Sequence, residues 1–150
     1  MKYFSQRDPR WANVKLGASN IDVYHYGCTT TCISMLSDYF GCLSYPDAIA
    51  KVKTNYTADG LILWSNLKFT KMAFVWRQYG RNDSLIRTSL KNPDTAVILQ
   101  VNDGKHWVVA LRPTLFGNDY VCLDPWTGAK CDVIKTYKNI TGSAHFTRKK

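Results

Sequence analysis

The periodicity of the apolar residues changes along the chain, and this change constrains the fold more than any other feature of the sequence. Between Thr29 and Gly41 the apolar positions recur at the three-and-four spacing of a buried helical stripe, and Gly41 is a typical stop signal. From residue 96 onward the apolar runs are short and are separated by turn signals such as Asn-Asp-Gly at 102–104. These runs predict strands at 96–101, 107–111 and 120–123. Helices followed by a meander of strands predict an α+β fold in which N-terminal helices pack on an antiparallel β-sheet.

Weaker signals predict further elements around these two regions. The first 27 residues are typical of an extended arm with turns. Asn82 is a candidate cap for a helix that the Asn92-Pro93 pair ends. The other predicted elements are a short helix from Tyr45-Pro46-Asp47 to Val52, a short helix within 61–69, a strand over 72–79 and the capped helix over 85–91.

Length and composition favour a single folded domain over residues 1–150. A chain of 150 residues that is 45% apolar can bury a hydrophobic core, which excludes a disordered protein. No apolar run reaches the roughly 18 residues that a membrane-spanning helix needs. Residues 1–9 also lack the apolar stretch of a signal peptide. We therefore expect no membrane span and a location in the cytoplasm of the producing cell, with release or association with a virion as alternatives.

The cysteines and histidines lack the spacing of a metal site. The five cysteines include no Cys-x-x-Cys pair and the three histidines add no zinc-finger spacing, so we expect no metal and no cofactor. An odd number of cysteines leaves at least one thiol unpaired in an oxidised monomer. A disulfide between Cys122 and Cys131 across a turn stays open, as does the redox state of Cys32 and Cys42.

Cys28 occupies the position along the chain at which its surroundings would stabilise a catalytic thiolate most. It lies directly before the strongest helical segment, where unpaired backbone N–H groups and the positive helix end stabilise a thiolate. Gly27 is expected to let the backbone turn sharply and to leave room for a substrate carbonyl. The alternative is a small buried side chain, as most free cysteines are. Cys32, one turn later on the apolar stripe, fits that alternative, whereas Cys28 does not.

His106 and Asp124 are candidates for the base and for the group that orients it. A thiolate nucleophile needs an imidazole partner, which in turn needs an orienting group. If 106–112 and 119–124 form an antiparallel hairpin with its loop near 115–116, His106 stands opposite the region of 124–125. Both side chains then emerge at the same end of the sheet. Taken singly, the histidine fits a hairpin end in solvent and the aspartate fits a turn before Pro125.

Three other polar residues are weaker candidates. Gln6 is a neutral amide ahead of the nucleophile and can donate to the oxyanion of acyl transfer, alongside the Cys28 N–H. His25 is close to Cys28 in sequence, which makes an approach across a cleft difficult. His145 lies in the basic C-terminal stretch, where we expect it at the surface.

Four segments stand in a recognisable order: FSQRDPRW at 4–11, YGCTTTCISML at 26–36, KHWVVA at 105–110 and YVCLDPWTG at 120–128. Together they resemble the motifs of the C39-like cysteine peptidases, a branch of the papain-like superfamily. The resemblance implies a papain-like fold with Cys28 as nucleophile, His106 as base, Asp124 as orienting group and Gln6 as oxyanion donor. The chain departs from the family at 29–31, where three threonines replace the usual Gly-Pro-Thr, and 55–95 matches no motif.

The formal charge of +9 favours an anionic partner, although a solvated basic surface explains it equally well. Eleven of the twenty basic residues fall in two stretches: Lys68, Lys71, Arg77, Arg81, Arg87 and Lys91, and then Lys135, Lys138, Arg148, Lys149 and Lys150.

The resemblance and the charge together predict a monomeric, phage-type lysin or virion-associated peptidase. Its substrate would be a cell-wall peptide and an anionic wall polymer its partner, because free-standing members of the family include wall-acting and phage-encoded proteins. One alternative is a peptidase that processes a polypeptide or leader peptide. Another is a catalytically idle basic module that binds a polyanion. Nucleic acid is the less favoured polyanion, although Trp64, Trp76 and Tyr79 lie among basic residues and can stack on bases or sugars.

Overall fold

Three helices precede the first strand in the computed structural model, which describes residues 1–150. They are α1 (Val23–Tyr26), α2 (Cys28–Tyr39) and α3 (Pro46–Ala50). Residues 30–37 of α2 are all buried, so the helix is covered on every side and not only along the apolar stripe that the sequence predicts. Pro46 is the first residue of α3, where its missing N–H removes no helical hydrogen bond. The predicted helices near 29–40 and 46–52 are confirmed, whereas the one-turn helix α1 interrupts the predicted extended arm.

Six antiparallel strands form one sheet, and two more helices accompany it. The elements are β1 (Met72–Tyr79), α4 (Asp83–Lys91), β2 (Thr95–Val101), β3 (His106–Pro113), β4 (Tyr120–Asp124), β5 (Ala129–Asp132), α5 (Val133–Tyr137) and β6 (Ile140–Arg148). The strand order is β1-β6-β2-β3-β4-β5. β2 to β5 are therefore a meander, and β6 returns to pair with both β1 and β2. The predicted α+β fold with an antiparallel sheet is confirmed.

Side chains cover both faces of the sheet because neighbouring residues of a strand point to opposite sides. Ile98 and Val109 belong to the core that the sheet shares with the N-terminal helices. Their neighbours Val97 and Val108 belong to a second core, which includes Ile86 of α4. The sheet therefore lies between α1–α3 on one side and α4 and α5 on the other.

Several local signals in the sequence are found where they were predicted. β1 has the predicted bounds, and the Asn82 side chain caps α4 by accepting from the Leu85 N–H at 3.0 Å. Asn102 and Asp103 both have positive φ, at 55° and 57°. That conformation makes the tight turn between β2 and β3, and Asn and Asp tolerate it better than most residues.

The helix predicted within 61–69 is wrong. The segment contains only a 3₁₀ turn at Trp64–Asn66. Outside this turn its backbone bonds to the preceding loop: the Leu63 N–H donates to the Asn55 carbonyl at 2.8 Å, and the Thr57 N–H donates to the Leu61 carbonyl at 2.8 Å. These bonds tie the segment to the preceding loop and leave too few for a helix.

The sequence patterns did not predict β5, α5 or β6, and the expectation that His145 lies at the surface is wrong. β6 is an interior strand of the sheet, and His145 is only 5% exposed. Its ring nitrogens lie 2.8 Å from the hydroxyls of Ser89 and Ser143. These bonds satisfy polar groups that made β6 look like a surface segment.

Candidate active site

Cys28 is the first residue of α2 and is half-buried. The Cys32 thiol, one turn later, is buried and lies 3.5 Å from the Trp107 carbonyl oxygen, to which it donates. That contact sets α2 against β3 at the residue that follows His106. The packing of a single helical turn therefore directs the N-terminal end of α2 toward the end of β3.

Gly27 is required for space and not for the predicted sharp turn. Its φ is −89°, which any residue adopts. A Cβ at this position would lie 2.5 Å from the Val23 carbonyl oxygen, far inside van der Waals contact. The glycine therefore lets α1 pack directly beneath the start of α2.

His106 and Asp124 meet at the end of the sheet. His106 Nε2 lies 2.8 Å from Asp124 Oδ1, and both side chains are largely buried. The register pairs Val109 with Leu123, and a bulge between Ala110 and Arg112 shifts the pairing nearer the hairpin loop. Extended to the strand end, this register sets His106 diagonally opposite Asp124 on one face, within reach of long side chains. The turn position alone predicted that His106 stands directly opposite 124–125. The observed register differs from that prediction by one or two residues.

The protonation of this pair is shifted in favour of the charged forms. Burial opposes a charge on the imidazole, but hydrogen bonds and charge interactions with Asp124 and Cys28 outweigh it and raise the pKa of His106 to about 9. Burial likewise opposes a charge on Asp124, yet its hydrogen bonds with His106, Tyr137 and the Trp126 N–H keep the pKa of that carboxyl below its ordinary value. At neutral pH an imidazolium therefore faces a carboxylate.

The Cys28 thiol is close enough to His106 to raise the pKa of the imidazole through a hydrogen bond and through its charge. Because Asp124 occupies Nε2, Nδ1 is the imidazole nitrogen that remains for the thiol.

Tyr137 is a further member of the site that the sequence patterns did not identify. Its hydroxyl donates to Asp124 Oδ2, and its ring centroid lies 4.8 Å from that of His106. Burial and the hydrogen bond to Asp124 raise the pKa of the Tyr137 hydroxyl. The Trp126 N–H donates to Asp124 Oδ1 at 2.9 Å. With these bonds and the one to His106, both carboxylate oxygens have partners. A single sequence carries no signal for Tyr137, because it is in the unpredicted helix α5.

Gln6 lies between the segment that carries Asp124 and the segment that leads to Cys28. Its backbone N–H donates to the Pro125 carbonyl at 2.6 Å, and its side-chain Nε2 donates to the Tyr24 carbonyl at 2.8 Å. The side chain is 2% exposed, and its Oε1 has no partner. An amide nitrogen has two hydrogens, so one N–H of Gln6 remains after the bond to Tyr24.

A cleft of about 310 Å³ opens beside these groups. Tyr26 and Thr29, which flank Cys28 along the chain, line it together with Trp107, which follows His106. Tyr56 and Trp64 extend its wall, so the lining is mainly apolar. Cys28 and His106 do not line the cleft themselves, and their chain neighbours are its nearest link to the site.

The remaining candidate residues lie apart from this arrangement. His25 is exposed and pairs with Asp22, 2.9 Å from Nδ1 to Oδ1. All five cysteines are free thiols, and Cys122 Sγ lies 3.1 Å from Cys131 Sγ across β4 and β5. The disulfide considered from the sequence is thus absent, but its two partners are in contact.

No group of three or more His, Cys, Asp and Glu side chains is arranged to hold a metal ion. None of the helices combines the length and the apolar character that crossing a bilayer requires. No protein-family model, no curated protein and no solved structure matches the chain, so the geometry of its own residues is the basis for assigning a function.

Proposed function

We propose that the protein is a papain-like cysteine peptidase that cleaves peptide or isopeptide bonds with Cys28, His106 and Asp124. The observation that carries this proposal is the 2.8 Å contact between His106 Nε2 and the buried Asp124, beside a cysteine at the start of a twelve-residue helix. A carboxylate that holds an imidazole next to a thiol is the arrangement that activates a nucleophile for covalent acyl transfer.

The charged state of the pair determines the chemistry. With the pKa of His106 raised to about 9, the imidazole carries its proton at neutral pH and stabilises the Cys28 thiolate next to it. The helix N-terminus adds to this stabilisation. Asp124 fixes the ring through Nε2 and directs Nδ1 to the reacting atoms.

The reaction then proceeds in two halves. The Cys28 sulfur bonds to the substrate carbonyl carbon, and His106 gives its proton to the leaving nitrogen as the C–N bond breaks. An amine departs and an acyl-enzyme remains. His106 next removes a proton from water, the resulting hydroxide attacks the thioester, and the C–S bond breaks to release the acid and restore the thiolate and imidazolium.

The oxyanion that forms in each half needs hydrogen-bond donors. The Cys28 N–H is at the first position of α2 and has no partner within that helix. The second N–H of the Gln6 amide is the other donor. Because Gln6 is held by Pro125 and Tyr24, its position requires no rearrangement when substrate binds.

The substrate we propose is a cell-wall peptide, as for a phage-type lysin or a virion-associated peptidase. The charge of +9 supports it by favouring adsorption to an anionic wall polymer. A polypeptide or leader peptide is the alternative substrate. A catalytically idle binding module is favoured by Trp76 and Tyr79, which are 57% and 77% exposed on β1 beside basic residues.

The test is alkylation by iodoacetamide at low excess near neutral pH, followed by peptide mass mapping of all five cysteines. We expect Cys28 to react selectively, faster than the similarly half-buried Cys42, and we expect this selectivity to be lost in His106→Ala. His25→Ala is the matched control, because it removes an exposed histidine that also pairs with an aspartate. Uniform slow labelling that His106→Ala leaves unchanged contradicts the peptidase and favours the binding module. Selective labelling leads to substrate screening with purified wall peptides and peptide libraries.

A further inference from the structure

The cleft beside Cys28 contains one cation and no acid. Its lining is mainly apolar and includes Arg77 of β1 as the single charged residue. Arg77 takes part in none of the ion pairs of the structure. A half-buried guanidinium without a carboxylate partner is unusual, because removing a charge from water is costly unless an opposite charge compensates it.

The guanidinium is fixed in place by neutral groups. Its carbon lies 4.3 Å from the ring centroid of Tyr79 and 4.9 Å from that of Trp107. Nη2 donates to Gln100 Oε1 at 2.8 Å, and Nη1 donates to the Gln78 carbonyl. These contacts hold the orientation of the fork and leave its positive charge uncompensated. Burial lowers the pKa of Arg77 from its ordinary value, which is the expected sign of that missing compensation.

The neighbouring strand makes room for this side chain. Gly142 of β6 has no positive φ, so its backbone conformation does not require glycine. A Cβ at Gly142 would lie 2.5 Å from Arg77 Nη1 and 2.9 Å from Gln100 Oε1. A glycine at this position therefore preserves the site of the guanidinium.

We propose that Arg77 binds a carboxylate of the substrate close to the scissile bond, with the apolar walls of the cleft holding the carbon chain that bears it. This rests on the proposed peptidase function. A single carboxylate on an apolar residue suits a mainly apolar cleft with one cation. A polyanion such as nucleic acid would need several cations in the same space. Tyr26 and Thr29, on either side of Cys28 along the chain, line the same cleft as Arg77, so a carboxylate bound there lies near the attacked bond.

The carboxylate has two sources in peptides: an acidic side chain, or the free α-carboxylate of a glutamate joined through its side chain. Acetyl-X-glycyl chloromethyl ketones with X as glutamate or glutamine probe the first source. γ-Glutamyl-glycyl chloromethyl ketones with a free or an amidated α-carboxylate probe the second. Each reagent alkylates the thiol, and intact-mass spectrometry follows the rate.

We expect at least one acid reagent to alkylate Cys28 about tenfold faster than its amide, as a charge-assisted bidentate contact predicts. We expect this ratio to fall to about one in Arg77→Gln and to persist in Arg87→Gln, which removes an arginine of α4 outside the cleft. Arg77→Lys keeps the charge without the fork and should retain part of the ratio.

The outcomes separate the two proposals. If alkylation of Cys28 is lost in His106→Ala but the unmodified protein reacts equally fast with acid and amide in both reagent pairs, the carboxylate site alone is overturned. A ratio that survives Arg77→Gln also overturns it. If no reagent alkylates Cys28 faster than the other thiols, the peptidase function fails, and the substrate assignment fails with it.

Discussion

Lowering the pH should destabilise the protein through one residue, His145. The imidazole is buried in β6 between the hydroxyls of Ser89 and Ser143, and no carboxylate contacts it. Burial lowers the pKa of His145 from 6.5 to about 4. The folded protein therefore holds this imidazole neutral at pH values where the unfolded chain protonates it.

The sign and the size of the effect follow from the two pKa values. Between pH 6.5 and about pH 4 the unfolded state binds the extra proton, so stability falls as the pH falls, with a slope of about 1.4 kcal/mol per pH unit. From about pH 6.5 to about pH 4.5 the free energy of unfolding should drop by about 2 kcal/mol. His106, with a pKa raised to about 9, contributes a constant amount below pH 6.5. Carboxyls with lowered pKa values, such as Asp124, titrate below 3.8.

Urea unfolding followed by tryptophan fluorescence measures this slope. His145→Gln should be less stable than the wild type at pH 7.5, because it replaces a packed ring, and its stability should change little between about pH 6.5 and pH 4.5. His25→Gln, at an exposed histidine, should keep the wild-type slope. An unchanged slope in His145→Gln, or a flat profile in the wild type, would refute the reasoning.

Three further predictions concern Asp124 and side chains near its carboxylate. Asp124→Asn should lower the pKa of His106 from about 9, since the charged partner is lost, and an NMR titration that still gives about 9 would contradict this. Tyr137→Phe removes a hydrogen bond to a buried charge, worth about 1.5–3 kcal/mol, so we expect the pKa of Asp124 to rise and alkylation of Cys28 to slow about tenfold. Unchanged rate and pKa would show that the tyrosine only packs there. Because the sulfurs of Cys122 and Cys131 are 3.1 Å apart, oxidised glutathione should convert them to a disulfide, seen as a loss of two hydrogens in mass spectrometry. Cys131→Ser should abolish that loss, and its persistence would implicate another pair.

Local signals were sufficient to predict part of the site. The stripe after residue 29 and the glycine at 41 indicate α2, and turn residues near 115–116 indicate the β3–β4 hairpin. Together these set Cys28 at a helix start and bring His106 near Asp124, because a hairpin's register depends on its turn. The bulge near Leu111 was not predictable, since it depends on how the strand packs.

Other parts depend on tertiary contacts that no local pattern contains. β6 resembles a polar surface segment until Ser143 and His145 find partners within the sheet and on α4. Tyr137 reaches Asp124 only because the short α5 packs beside β4. Arg77 appeared as one of many basic residues. Its isolation from carboxylates emerges only when Tyr79 and Trp107 are seen on either side of it.

The location of β6 between β1 and β2 has a consequence for protein synthesis. The ribosome completes residues 140–148 after every other strand, so β1 and β2 are both translated with an edge that has no partner. β3 and β4 can pair with β2 before then, but the sheet stays divided into two parts until β6 is inserted. Unpaired strand edges are sites of aggregation, and pairing between distant parts of the chain is slow. The nascent chain is therefore most vulnerable before β6 is synthesised, when chaperone binding would protect it most.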